Sequence, residues 1–274
     1  MASVTTVDWH EARAALGEAT ARLTALLRSV ERPDAPALSQ WDVAGLAAHL
    51  THAFATVPQL ADGTAAAPLR DLWELSDLTA GLVDDEPERD LAVLAQLIDD
   101  RLARFLEASA AGGADAPCGW LVDGASLTVV TLTCHLLNEA VVHSHDIATA
   151  VDRPWVTDPR HAALIFEGFL LAIFQALDPR TFVDQDRAAG LHACYDVRLR
   201  SAGRFFLVFA DGAMTVEAPS SRRVDCHLSV DPAAFLLVAW ARISQWQAIP
   251  RGQLLTWGRR PWLGLRLRSL LRSP

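Results

Sequence analysis

The sequence predicts a two-domain protein: a four-helix bundle over residues 1–153, followed by an α+β domain with an antiparallel sheet over residues 154–274. Three observations lead there. The chain has 274 residues, 51% of them hydrophobic, more than one compact core usually takes in. Charge divides it. Residues 1–153 carry 23 acids and 9 Arg, net −14, whereas residues 154–274 carry 10 acids and 15 Arg, net +5, which together recover the total of −9. The hydrophobic period also changes, from helical spacing in the first part to short alternating runs in the second. Asp152-Arg153-Pro154-Trp155 marks the boundary, because a proline ends the helix that precedes it.

In the first module, residues 8–30 place Trp9, Ala12, Leu16, Leu23 and Leu27 at helix-compatible spacings. Ser39 is positioned to cap a second helix through WDVAGLAAHLTHAFATV, ending near Pro58. Residues 60–88 are expected to be irregular, since Gly63, Pro68, Gly81 and Pro87 interrupt any long element. A third helix is predicted from Glu88 to Ala110, with Leu91, Leu94, Ile98, Leu102 and Phe105 as its stripe and Gly112-Gly113 as its stop. A fourth runs from about Ser126 to Ala150, although the β-branched run Thr128 to Thr131 disfavours its first turn. Four helices with connections of different lengths make a bundle.

The second module opens with a helix from Pro159 to Leu177. HACYDVRLR, GRFFLVFADG and AMTVEA then read as short strands, with Asp211-Gly212 a hairpin turn. Residues 224–230 predict a further strand. Asp231 caps a helix through AAFLLVAWARI, helped by proline at its first position. The end of the chain, GRRPWLGLRLRSLLRSP, is basic and amphipathic.

Composition removes several classes of function. All 24 basic residues are Arg, so no lysine chemistry is available, neither a Schiff base nor a phosphate-binding loop. A net charge of −9 argues against nucleic acid as a partner. The longest apolar run, around Phe169 to Ala176, is too short to span a bilayer, and the N-terminal residues lack the pattern of a secretory signal. Cys118, Cys134, Cys194 and Cys226 show no paired spacing and read as separate reduced thiols, which points to the cytoplasm. Neither a nucleophile-elbow serine motif nor a dinucleotide-binding glycine motif is present.

Histidine placement is the sharpest signal. Five of the nine fall in two windows totalling 15 residues, His49/His52 and His135/His143/His145, where random placement would put about half of one. His135, Glu139 and His143 are spaced by four and stack on one helix face, with Asp146 on the same stripe and His145 pointing elsewhere. The one asparagine, Asn138, precedes Glu139 but as its neighbour should face another side. His49 and His52 share a face of the second helix. Two histidines and a glutamate from neighbouring helices form a catalytic type of metal site with open positions, for which Zn²⁺ is the default ion. Asp146 would then hold a ligand imidazole from behind. A Glu–His pair four apart also serves as an ordinary helix ion pair.

WDVAGLAAHLTH and HLLNEAVVHSHDIATAVDRPW resemble the DinB-like metal-binding bundles, and more narrowly the N-terminal domain of mycothiol-dependent maleylpyruvate isomerases. DGAMTVEAPSSRRVDCHLSVDPAAFLLVAWARIS resembles the sterol-carrier-protein-like domain that follows the bundle in many relatives. The resemblance implies a divalent metal, usually zinc, on His49, Glu139 and His143, with mycothiol or another low-molecular-weight thiol as cosubstrate. A thiol bound to a metal loses its proton and becomes a nucleophile at neutral pH. It would add to a small electrophile such as a cis double bond. Rotation and elimination give isomerisation; stopping after addition gives S-transfer. His52 and His135 are extra histidines and leave open an altered ligand set or a fourth ligand that closes the site. The functional arginine that such relatives take from the second domain is matched by Arg242 in VAWARIS.

Two other readings remain. The same ligands with water would support hydrolysis. Alternatively, the second domain carries a hydrophobic ligand, with Phe166, Phe169 and Phe174 near it, and the bundle is a scaffold. Asp84-Asp85-Glu86 with Glu88 reads as a solvated loop. The arginines and tryptophans at the end of the chain read either as a basic face packed on an acidic partner or as a surface for anionic head groups.

Overall fold

The computed structural model describes residues 6–38, 41–65 and 69–272; Ser39 and Pro68, given roles above, lie outside them. Two compact units divide between Thr157 and Asp158.

The first unit contains α1 (Trp9–Arg28), a short hairpin of β1 (Pro36–Leu38) and β2 (Trp41–Asp42), α2 (Val43–Asp62), α3 (Leu75–Asp85), α4 (Leu91–Gly112), a second hairpin of β3 (Pro117–Gly119) and β4 (Ser126–Thr128), and α5 (Val129–Ala150). α1 packs on α4 and α5, and α2 packs on the same two, so α1 and α2 sit diagonally in a four-helix bundle. Arg13 donates to the Leu106 carbonyl and the Ser109 hydroxyl, whereas Arg28 meets Asp99, which makes α1 and α4 antiparallel. Leu16, Leu23 and Leu27 of α1, Leu46, Leu50 and Phe54 of α2, Leu94 and Ile98 of α4, and Leu132 and Leu136 of α5 are fully buried. Each such side chain contributes about 1.5–3 kcal/mol by leaving water.

Several boundaries differ from the sequence reading, each for a local reason. α2 is capped by Asp42, whose carboxylate accepts from the Gly45 amide at 2.7 Å. It does not stop at Pro58 but continues to Gly63, which adopts the left-handed conformation of a helix stop. Buried Val57 and Leu60 hold the turns on either side of that proline. Residues 75–85 form α3, although only Val83 of it is buried; its mostly exposed sequence gave little helical signal. The fourth helix starts three residues later than expected, because Ser126 to Thr128 pair with β3. Of the β-branched run only Thr128 lies in that strand; Val129, Val130 and Thr131 form the first turn of α5 despite their propensity. α5 ends with Asp152 in left-handed geometry, and the Arg153 amide bonds back to the Ala148 carbonyl at 2.8 Å. Beyond it, the ring of Trp155 lies 4.5 Å under the Arg22 guanidinium, so this stretch stays on the bundle.

The second unit begins with α6 (Pro159–Ile165), which passes through a π-helical turn (Phe166–Leu170) into α7 (Leu171–Ala176). Its sheet has β5 (Ala193–Leu199), β6 (Arg204–Ala210), β7 (Ala213–Glu217), β8 (Cys226–Val230) and β9 (Leu254–Trp257), in the order β7-β6-β5-β8-β9. Asp211 and Gly212 both have positive φ, 53° and 75°, as the predicted two-residue hairpin turn requires. The sheet is mostly antiparallel, but β8 runs parallel to β5. The β5-β6-β7 meander leaves β7 pointing along β5, and residues 218–225 cross back to start β8 on the other side of β5 in that same direction. β9 and its place at the edge were not anticipated: the strand is only four residues long, between glycine and arginine-rich turns. α8 (Pro232–Ala239) is capped by Asp231 and ends sooner than expected, since Ala241 turns left-handed at φ 58°. α9 (Gln245–Ala248) and α10 (Trp262–Arg266) complete the unit. One face of the sheet is apolar, with Tyr195, Val197, Phe205, Leu207 and Leu228 buried. On that face the Tyr195 hydroxyl donates to the Leu263 carbonyl of α10 at 3.3 Å. No described helix is long and apolar enough to cross a membrane.

Candidate metal centre

The five clustered histidines come from α2 and α5, which pack against each other in the bundle. Asp42 fixes the first turn of α2, and Gly45 lets Trp41 lie close over it: a Cβ there would come within 3.4 Å of the Trp41 Cβ. Trp41 then stacks on His49, with ring centres 5.2 Å apart and planes 25° apart. Glu139 and His143 are one turn apart on α5 and face His49 across the gap. His49 Nε2 lies 3.2 Å and His143 Nε2 3.3 Å from Glu139 Oε2, and the three side chains are 16%, 11% and 13% exposed in the order His49, His143, Glu139. One ligand atom from each lies within 4.8 Å of the others.

The donor set suits a divalent cation. Ligands about 2.0–2.2 Å from zinc stand no more than about 4 Å apart, and the two imidazole nitrogens approach the carboxylate more closely than that. Asp146 Oδ2 is 2.9 Å from His143 Nδ1. An ionised Asp146 holds the ring proton on Nδ1 and turns the Nε2 lone pair toward the shared volume. Asn138 donates to Glu139 Oε1 at 3.3 Å. Adjacency alone would place it on another side of the helix, but its buried side chain reaches the neighbouring carboxylate.

Electrostatics separates the members of the cluster. Burial pushes the His49 imidazole down, against the hydrogen bond with Glu139. Burial alone would raise the Glu139 carboxyl, yet hydrogen bonds from His143 and His49 hold it well below the usual carboxylate range. Burial would lower His143 as well, but Asp146 and Glu139, one on each ring nitrogen, push it up to about 9. Two carboxylates and two imidazoles therefore share one buried volume.

The other sequence candidates fall around this group. His135 Nε2 stands 3.6 Å from Glu139 Oε1, and its ring meets Trp120 edge-on at 6.1 Å, so it flanks the three. Burial lowers its imidazole. His52 turns away from the three, to Glu86 Oε2 at 3.5 Å. Glu86 thus leaves the acidic run read as a solvated loop, whereas Asp84 and Asp85 are exposed as expected but end helix α3 and do not form a loop. Nothing in the spacing of 84–88 marked Glu86, because its partner lies across the fold. Arg101, also unforeseen, donates to the Thr51 carbonyl beside His52. Arg242 follows α8 in the second unit and donates to the Trp240 carbonyl at 2.7 Å. Replacing Asp146 with Asn should weaken Zn²⁺ binding on the order of 10- to 100-fold, read by competition with a chelating dye; unchanged affinity would remove Asp146 from the site.

Residues 13–148 match the mycothiol maleylpyruvate isomerase N-terminal domain, and residues 174–258 match the SCP-2 sterol transfer family. No curated protein matches the chain by sequence. Among solved structures, the crystal structure of a mycothiol-dependent maleylpyruvate isomerase superposes with a TM-score of 0.54 at 15% identity, covering 93% of this chain and 95% of that one. A histidine-to-alanine mutant of a mycothiol-dependent maleylpyruvate isomerase superposes at 0.56 and 14% identity, with the same coverage. At such identity the likeness concerns the fold, a helical bundle followed by an α+β unit. The chain thus joins a member of the mycothiol maleylpyruvate isomerase N-terminal domain family to a member of the SCP-2 sterol transfer family, in that order.

Proposed function

We propose that the chain is a divalent-metal, thiol-dependent isomerase acting on a small electrophile, with mycothiol or a similar low-molecular-weight thiol as cosubstrate. The observation that carries this reading is the convergence of His49, Glu139 and His143 in one buried volume. When bound, a divalent ion such as Zn²⁺ supplies the Lewis acidity that keeps a thiol deprotonated near neutral pH. The residues of the chain hold and orient. Asp146 fixes the His143 ring, Trp41 fixes the His49 ring, and Glu139 places its negative charge between the two imidazoles.

In this reading the nucleophile is an external thiol. Burial pushes the thiols of Cys118, Cys194 and Cys226 up to about 11, so none of these three is a thiolate at neutral pH. The external thiolate adds to one carbon of a cis double bond conjugated to a carbonyl, and the π electrons move onto that carbonyl. Rotation about the resulting single bond, then expulsion of the thiolate, returns the electrons as a trans double bond. Atoms balance and the thiol is regenerated. The family resemblance supports Arg242 as a functional residue of the second unit, since a guanidinium pairs with the carboxylates of such electrophiles. A place in the cytoplasm belongs to the same reading.

The test is conversion of maleylpyruvate by Zn²⁺-loaded protein with and without mycothiol. Isomerisation only in the presence of thiol is expected, with R242K retaining more turnover than R242A. Turnover without any thiol would overturn the reading in favour of metal-assisted hydrolysis, and accumulation of a thioether would make the chain a transferase.

A further inference from the structure

Residues 232–274 contain seven arginines, four tryptophans and no acid. Among its described residues α8 packs on α6, β9 forms an edge strand of the sheet, and α9 and α10 lie beside that strand in sequence. α10 buries Leu263 and Gly264 against the sheet, where a Cβ on Gly264 would meet Thr256. The opposite side of α10 therefore looks outward. Trp262 and Leu265, one turn apart there, are 57% and 37% exposed. Gln245 donates to the Leu265 carbonyl at 3.0 Å, which ties α9 to α10 and brings in Trp246, 63% exposed. On the neighbouring edge strand Leu255 and Trp257 are exposed too, but on the opposite face of the sheet, because Thr256 between them faces α10 and Trp257 stacks on His227. Isolated exposed apolar residues are ordinary, but Trp246, Trp262 and Leu265, brought together by the bond between α9 and α10, form a patch.

Charge decides what such a patch fits. Arg251 and Arg266 border it, both exposed. Arg251 donates to the Gln247 carbonyl and Arg266 to the Arg187 carbonyl, and neither meets a carboxylate among the described residues. An isologous contact with a second copy would set the Arg251 and Arg266 heads against each other. Tryptophan rings prefer the boundary between apolar and polar media, and arginine stems lie along apolar surface with their heads in water.

We propose that this edge of the second unit binds the surface of an anionic lipid bilayer. Trp246, Trp262 and Leu265 enter the head-group boundary, and Arg251 and Arg266 pair with lipid phosphates. Binding is peripheral and reversible. It is independent of the reaction proposed for the bundle.

Co-sedimentation of the full chain with phosphatidylglycerol/phosphatidylcholine vesicles, and with phosphatidylcholine vesicles alone, tests it. The chain should pellet with the anionic vesicles, stay in solution with the neutral ones, and be released by salt. The double variant W246A/W262A should lose most of the bound fraction, and R251Q/R266Q should lose its salt-sensitive part. All four side chains are exposed, so unchanged circular dichroism and metal content check that the variants fold. Absence of pelleting at low salt, equal pelleting with neutral vesicles, or a dimer that W246A/W262A dissociates would each overturn the proposal.

Discussion

Replacing His143 with Ala should take the bound divalent cation from one per chain to near none, and Glu139→Gln should do nearly the same. Each removes one of three donors that meet in a single buried volume. Losing a residue behind the ligands typically costs 10- to 100-fold in affinity, so losing a ligand should cost on the order of 100-fold or more. The two variants differ in what they leave behind. His143→Ala leaves Glu139 with His49, His135 and Asn138 and removes the His143 contact of Asp146. Glu139→Gln keeps the shape and the neighbouring Asn138 but removes the charge that balances two imidazoles. Elemental analysis of purified protein, and the visible spectrum after Co²⁺ substitution, report the outcome directly. A parent protein that binds no Zn²⁺, Co²⁺ or Mn²⁺ would show that the cluster is a buried ion-pair network and not a metal centre.

Asp196→Ala should destabilise the second unit by about 2 kcal/mol at neutral pH, and the loss should shrink in acid. Asp196 is fully buried on β5 and accepts from Arg204 Nε at 2.7 Å, Arg198 Nη2 at 2.8 Å and His227 Nδ1 at 2.6 Å. Burial would raise its carboxyl, but those three hydrogen bonds hold it down at about 2, against an ordinary 3.8. The sign follows from that difference. The folded state binds the proton more weakly than the unfolded one, so the stabilisation is complete above about pH 4 and fades as pH falls toward about 2. Arg198 and Arg204 are each nearly half exposed and regain water when Asp196 is removed, which keeps the cost below that of a fully buried pair. Hydrogen exchange of the β5, β6 and β8 amides, compared at pH 7 and pH 3, isolates the effect to this unit. An equal difference at both pH values would count against the linkage.

Legibility followed the range of the interactions involved. Helices α1, α4 and α5 were readable because each carries an apolar stripe that repeats along itself, and α4 stops at the expected glycines. The β5–β7 meander was readable through alternation and the Asp211-Gly212 turn. α3 was missed because it buries only Val83, and β9 because four residues hold too little pattern. Pro58 was misread as a stop because local propensity argued for one, whereas burial of the flanking side chains kept the helix going.

The candidate site divides in the same way. Sequence by itself determined that Glu139, His143 and Asp146 share one face, since i, i+4 and i+7 positions on a helix must. It also singled out His49 and His52 as a pair without distinguishing their fates. Only the tertiary structure decided that His49 joins Glu139 while His52 goes to Glu86, that His135 flanks the group, and that Trp41 stacks on His49. The physical reason is that periodicity fixes the direction of a side chain relative to its own helix. The identity of what lies opposite depends on how α2, α3 and α5 pack, and that is set by the whole core.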